Sequence, residues 1–341
     1  MSDQGLGLTY NKLEEQLSKN GFSKSFAELI FKKAYRRPTF KGWEDGRMSP
    51  KLLSFLEQLD WKRPTILQTH QSSDDTIKFL FGLKDHRSVE TVLIPFYRKD
   101  TVCLSSQVGC AMGCRFCHTG TQGLSRSLTT SEIVGQYLAA WDWAYHKRMN
   151  GTKAPNIVFM GQGEPLHNFD QLKESIDLIT DPRGLDLSHR MITVSTAGYL
   201  PGLKRFSELG GVNLAISLHS AIEEKRRELI PISKNWPIES LMKEIDQIKL
   251  GRKQVILYEI MLAEDFNDSK EDALALSKLL KNRPHMANLI PFNPYPGSPW
   301  KRPNDQKIEA FKSQLVEFGI RTTIRKTKGD NIMAACGQLK T

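Results

Sequence analysis

The sequence predicts an α/β fold: a partial (β/α)6 barrel with a small helical N-terminal domain and a β-hairpin extension. Three observations predict it. Beyond about residue 100, short strand-forming runs alternate with helical segments, the pattern of a parallel sheet with helices outside. The unusual residues of this region fall at the C-terminal ends of those strands, where barrels gather their chemistry. Ahead of them lies a stretch of helical periodicity and then a hairpin pattern.

The elements follow in chain order. Residues 1–75 read as a helical accessory domain. Leu13, Leu17, Phe26, Leu29 and Ile30 recur at helical spacing. Ser49 and Pro50 have the form of an N-cap with proline at N1, opening a helix over 51–59. Lys32, Lys33, Arg36, Arg37, Lys41, Lys62 and Arg63 cluster beside these helices, either as a grip for nucleic-acid phosphates or as a solvated face. Residues 76–100 read as the hairpin extension, with strands over 76–81 and 88–94. The barrel occupies 101–325, with strands at 101–105, 156–160, 191–195, 213–218, 255–261, 287–291 and near 320–325. Thr129 and Glu132 have capping-box spacing before a helix over 131–147. Residues 326–341 form a C-terminal tail.

Composition narrows the class. With 39% hydrophobic and 25% charged residues, the 341-residue chain reads as a soluble globular protein. It contains no apolar run of about 18 residues, so no transmembrane helix is expected. The start, Met1-Ser-Asp-Gln-Gly, lacks the charged and apolar regions of a signal peptide, which points to the cytoplasm. A net charge of +10 favours polyanionic partners, nucleic acid first.

Cys110, Cys114 and Cys117 stand in the run Gly-Cys-Ala-Met-Gly-Cys-Arg-Phe-Cys. Three thiolates on so tight a loop can hold three corners of a 4Fe-4S cluster and leave the fourth iron open. A structural zinc site completed by Cys103 or His118 is the alternative, though zinc usually takes four ligands in paired knuckles. An odd count of five cysteines argues against a disulfide framework. Gly161-Gln-Gly-Glu-Pro165 is a glycine-rich turn with a carboxylate, placed where a ligand ammonium would meet Glu164. Taken alone, His219 reads as a core imidazole, Ser195 and Ser217 as ordinary strand-end serines, Glu90 as a solvent-facing strand residue, and Cys336 as a small core hydrophobe.

The aromatic before the third cysteine, Phe116, is the signature of radical S-adenosylmethionine (SAM) enzymes. The wider blocks go further. Glu90-Thr-Val, Cys103-Leu-Ser-Ser-Gln-Val-Gly-Cys110 through Cys117, Gly-Glu-Pro165, Ser-Leu-His219, Asn-Leu-Ile-Pro-Phe-Asn293 and Gly329-Asp-Asn-Ile-Met-Ala-Ala-Cys-Gly-Gln-Leu339 together resemble the RlmN/Cfr family of radical SAM RNA methyltransferases. The resemblance implies a radical SAM barrel with a 4Fe-4S cluster on Cys110, Cys114 and Cys117. It implies SAM contacts from Gly163, Glu164, Ser195, Ser217, Leu218, His219 and Asn293. It makes Cys336 the methyl carrier, Glu90 the base that removes the ring proton, and Cys103 the thiol that resolves the protein–RNA crosslink. The sequence of events implied is methylation of Cys336 by one SAM, hydrogen abstraction by a radical from a second, addition to the adenine ring, and release through a transient Cys103–Cys336 disulfide.

The implied substrates are 23S ribosomal RNA and transfer RNA, with methylation at C2 of adenosine. Arg325-Lys-Thr-Lys-Gly-Asp330 and Asn-Pro-Tyr-Pro-Gly297 look more like the C2 branch than the C8 branch, whose members confer antibiotic resistance. The implied partners also include an electron donor such as flavodoxin; a monomer and no membrane are expected. Arg325, Lys326 and Lys328 lie near Cys336 in sequence and are candidates for placing positive charge beside its thiolate. Two departures from the family pattern, Gln162 in place of methionine and His118 in place of a small residue, are expected near the SAM site.

Overall fold

In the computed structural model of the chain, residues 5–44, 46–148, 153–251 and 254–341 are described. Four strands open the main sheet: β1 (Thr65–Gln71), β2 (Ile77–Gly82), β3 (Ser88–Ile94) and β4 (Thr101–Cys103), each antiparallel to the next. A separate two-stranded ribbon follows, made of β5 (Gln107–Gly109) and β6 (Leu124–Ser127). The main sheet then continues from β4 in parallel through β7 (Asn156–Phe159), β8 (Ile192–Thr196), β9 (Asn213–Ser217), β10 (Ile256–Leu262), β11 (His285–Pro291) and β12 (Thr322–Ile324). β1 and β12 stand at the two ends of this ten-stranded sheet, so the barrel stays open.

Helices α1 (Tyr10–Lys19), α2 (Phe26–Tyr35) and α3 (Pro50–Gln58) precede the sheet. Between the parallel strands run α4 (Thr130–Lys147), α5 (Phe169–Thr180), α6 (Leu200–Leu203), α7 (Glu223–Leu229) and α8 (Ile238–Ile245), then α9 (Lys270–Leu280) and α10 (Asp305–Glu317). The caps form as the spacing predicts. The Ser49 hydroxyl accepts the Leu52 N–H at 3.3 Å, with Pro50 at N1. At α4 the Thr129 hydroxyl accepts the Glu132 N–H, and the Glu132 carboxylate accepts the Thr129 N–H at 2.9 Å. Caps of this kind are worth about 1 kcal/mol each.

One expectation is corrected. Residues 65–71 are a strand, not the end of a helical region. All seven are exposed, so Thr-Ile-Leu-Gln-Thr-His-Gln has no buried face to produce a two-residue alternation. Pairing with β2, from Thr65↔Gly82 to Gln71↔Ile77, supplies the strand state.

The core lies between sheet and helices. Phe79, Tyr137, Phe159 and Tyr258 are fully buried there, and each apolar side chain so placed contributes about 1.5–3 kcal/mol. Leu13, Leu17, Ile30 and Phe31 of α1 and α2 join the same core. Part of the N-terminal basic cluster is tied to backbone carbonyls: Arg63 donates to that of Leu138 at 3.3 Å, and the exposed Arg36 to that of Pro182 at 3.1 Å. Among the described residues no helix is long and apolar enough to cross a membrane.

Candidate active site

Parallel strands present their C-terminal ends to one rim, and the segments leaving those ends enclose a cavity of about 140 Å3. Its wall includes Cys110, Cys114 and Cys117 after β5, Gly163 and Glu164 after β7, Ser195 of β8, Ser217 of β9 with His219 beyond it, and Asn293 after β11. Cys336 enters from the tail. Of the SAM contacts the resemblance implies, only Leu218 stays outside this wall; its side chain is buried in the main core.

The cysteine loop is held from several sides. Gly109 has φ +74°, and a Cβ there would lie 1.9 Å from the Gly123 carbonyl oxygen, so the ribbon closes only on glycine. The Cys110 N–H donates to that same carbonyl at 2.9 Å. The Arg115 N–H reaches the Leu229 carbonyl at 3.0 Å, and the His118 N–H reaches that of Gly337 at 2.6 Å. Burial pushes the Cys110 thiol up to about 12 and raises Cys114 and Cys117 as well. Thiolates in so dry a wall need countercharge, which bound iron supplies. Among the described residues no three His, Cys, Asp or Glu side chains gather about one point as a single metal ion requires. The three cysteines instead share one cavity wall, a donor set suited to ligating separate irons of a cluster.

Two buried groups of the wall, Glu164 and His219, fit a ligand carrying both an ammonium and acceptor atoms, and a third buried group, Arg226, is not part of the wall. Glu164 accepts the Leu166 N–H at 3.1 Å and the Ala197 N–H at 2.8 Å, and burial lifts its carboxyl to about 7. An incoming ammonium would pair with it. His219 sits at φ +60°, its Nδ1 accepting the Met261 N–H at 3.0 Å. That bond places the ring proton on Nε2, a buried atom without a partner on the cavity wall. Burial pulls the imidazole down to about 3, so it stays neutral. Arg226 is 1% exposed; its Nη2 donates to the Ala197 carbonyl at 2.9 Å, while Nε and Nη1 have no partner. Its charge favours a thiolate at Cys114, and burial draws its own proton affinity down to about 10. Sequence reasoning missed Arg226 because Glu-Glu-Lys-Arg-Arg-Glu-Leu reads as a solvated helix.

A second cavity, about 440 Å3, shares Met160, Ile290, Asn293, Arg325 and Cys336 with the first and adds Cys103. Cys336 therefore borders both. Arg325 is half-buried, and the nearby charges of Cys336, Glu259 and Cys103 stabilise its cation. Asn293 donates from Nδ2 to the Cys336 carbonyl at 3.1 Å, so it holds the tail as well as lining the cavity. All five cysteines are free thiols.

Glu90 is buried beneath the tail rather than facing solvent. It pairs with Lys78 at 2.9 Å, and its Oε2 accepts the Lys340 N–H at 2.8 Å. Gln162 turns away from the first cavity. Its Oε1 accepts the Glu90 N–H at 2.9 Å and its Nε2 reaches Thr341 Oγ1 at 3.3 Å, so this departure braces Glu90 and the tail. The other departure, His118, stacks on Tyr295 at 4.8 Å.

An open barrel with three cysteines of this spacing on one cavity wall at the strand ends defines a radical SAM enzyme. The family model described as "Radical SAM superfamily" matches residues 104–277. A radical SAM methyltransferase from Sphaerobacter thermophilus superposes with a TM-score of 0.91 at 35% identity, covering 99% of both chains. The dual-specificity RNA methyltransferase RlmN of Syntrophobacter fumaroxidans is 40% identical over 97% of this chain and 96% of its own length. That of Nautilia profundicola is 40% identical over 96% of each. The chain belongs to the RlmN family of the radical SAM superfamily.

Proposed function

We propose that this protein methylates C2 of an adenosine in 23S ribosomal RNA, and of an adenosine in transfer RNA, through a methyl group carried on Cys336. The observation that carries the reading is the position of Cys336, which borders the cavity of the cysteine triplet and the cavity that holds Cys103. The relatives are named for dual specificity towards RNA. Cytoplasmic location, a monomeric state and reduction by a flavodoxin-like donor accompany this reading.

Cys110, Cys114 and Cys117 would hold the cluster, and Glu164, His219, Ser195 and Ser217 would orient SAM. Bound there, the pair supplies the one-electron chemistry that takes hydrogen from an unactivated methyl group. The protein's own residues do the rest. Arg325 lines both cavities with Cys336, the sulfur that accepts the methyl, and the charge of Cys336 stabilises the Arg325 cation. Cys336 then presents its thioether carbon towards the second cavity. Glu90 takes the ring proton once Lys340 withdraws from its Oε2. The Cys103 thiolate attacks the sulfur of the Cys336 thioether: an S–S bond forms, the S–C bond to the RNA breaks, its carbon leaves with the electron pair and takes up a proton as the new methyl group, and a Cys103–Cys336 disulfide remains to be reduced.

The test is an oxygen-free reaction of the cluster-loaded protein with ribosomal and transfer RNA, followed by nucleoside mass analysis that separates 2-methyl from 8-methyl adenosine. 2-Methyladenosine is expected from the native protein and none from Cys336→Ala. An undiminished yield from that variant rules out the carrier.

A further inference from the structure

The second cavity has a rim that this chemistry leaves unused. The connection from β3 to β4 contains Pro95-Phe96-Tyr97-Arg98-Lys99, with Phe96 53% and Tyr97 95% exposed. Two adjacent large rings exposed together form the kind of apolar patch that marks an interaction site. Both rings line the same cavity as Cys103 and Cys336. Its wall also carries Arg325, Lys326 and Lys328, and among the described residues it includes no carboxylate. Lys326 is exposed, and Lys328 has only a distant acidic neighbour, Asp74 at 3.8 Å. The N-terminal basic cluster is more committed: Lys32 pairs with Glu28 at 2.7 Å, and Lys33 and Arg36 bond backbone carbonyls.

Exposed rings beside cations, with no negative charge between them, make a surface that stacks bases and neutralises phosphates. A base must leave its helix to reach a thioether inside a cavity, so the strand beside it is unpaired and its bases are available for stacking. We infer that the Phe96–Tyr97 loop and Lys326 form a clamp for unpaired RNA, Tyr97 stacking on the base that flanks the target adenosine and Lys326 meeting a phosphate. The inference rests on the reading of Cys336 as methyl carrier, because that thiol marks where the target base arrives. An acidic protein partner would also be drawn to the cations, but an exposed flat ring beside the reactive thiols favours a nucleobase.

The experiment uses the full-length, cluster-loaded protein and an RNA stem-loop with 2-aminopurine in its unpaired loop. Four quantities are read: RNA affinity, quenching of the 2-aminopurine by stacking, mass gain at Cys336 from SAM without RNA, and the rate at which flavodoxin reduces the cluster. The double variant Phe96→Ala/Tyr97→Ala is expected to bind about tenfold or more weakly and to lose the quenching. Tyr97→Trp restores both. Lys326→Ala lowers the salt dependence of binding by about one counterion. The ring variants gain the methyl mass at Cys336 as the native protein does, which shows that the fold and first cavity are intact. Unchanged affinity and quenching in the double variant overturn the clamp. So does a slowed reduction of the cluster by flavodoxin with RNA binding intact, which would assign the rim to a protein partner. Native protein that binds and quenches but never gains mass at Cys336 overturns the carrier reading and leaves the clamp supported.

Discussion

Arg325 decides the behaviour of the two thiols that share the second cavity. Burial, helped by the charge of Cys336 and opposed by Arg325, pushes the Cys103 thiol up to about 12. Well below that value, the thiolate fraction grows about tenfold for each unit of pH. Alkylation of Cys103 by iodoacetamide, followed by peptide mass analysis, is therefore expected to accelerate about tenfold per unit between pH 7 and 9. Arg325→Met slows it at every pH, since the opposing cation is gone. Cys336→Ala speeds it, since a repelling charge is gone. The second effect bears on timing: a methylated Cys336 can carry no thiolate, so charging the carrier also readies the resolver. A rate indifferent to pH and to both substitutions would remove Cys103 from this role.

Among the elements, β6 holds the frame of the cysteine loop through one side chain. Arg126 donates to Glu132, in the capping box of α4, twice at 2.8 Å, and to Asp85, in the turn between β2 and β3, at 2.6 Å. Hydrogen bonding from Arg126, and secondarily from Arg87, holds the Asp85 carboxyl well below the usual carboxylate range. A carboxyl depressed on folding stabilises the fold above its unfolded value of about 3.9 and loses that contribution as pH falls towards the folded value. Both partners are about a third exposed, so screening limits the effect of Asp85→Asn to about 0.5–1 kcal/mol at pH 7. Urea unfolding of native and variant protein should show that gap at pH 7 and a shrinking one as pH falls below about 4. An equal gap at both ends would mean that packing, not charge, carries the contribution.

The same elements explain what was legible beforehand. The capping box, the hairpin of β2 and β3, and β7 to β11 announce themselves through fixed spacing or runs of apolar residues buried by the barrel. β5 and β6 do not, because ribbons of three and four residues are too short to show a period. The cysteine triplet is legible because its ligands are adjacent in sequence. Arg226 and the buried state of Glu90 are not, because each depends on a segment distant along the chain: the turn after β8 that holds Ala197 in one case and the tail in the other.

For the whole molecule, the tail is the strap that joins parts distant in sequence. The Thr119 hydroxyl donates to the Leu339 carbonyl at 2.6 Å, tying the tail to the cysteine loop. Asn293 ties it to the end of β11, and Lys78 and Glu90 tie it to β2 and β3. Lys78 is central: its ammonium pairs with Glu90 at 2.9 Å and donates to the Met333 carbonyl at 3.2 Å. Both side chains of the pair are buried, 11% and 7% exposed. Removing one partner of a buried pair strands the other charge at a cost of about 3–5 kcal/mol. The cheapest escape for Glu90 in Lys78→Met is to hydrate by shedding the tail, whose backbone already bonds it. Hydrogen exchange at residues 337–340 should then lose protection while the barrel strands keep theirs. Methylation of Cys336 should slow in step, though every residue of the first cavity remains. Removing both charges, in Lys78→Met/Glu90→Gln, leaves no buried ion to hydrate, so tail protection should return in part. Tail exchange identical in the native protein and Lys78→Met would show that the other anchors suffice and that the ion pair does not seat the carrier.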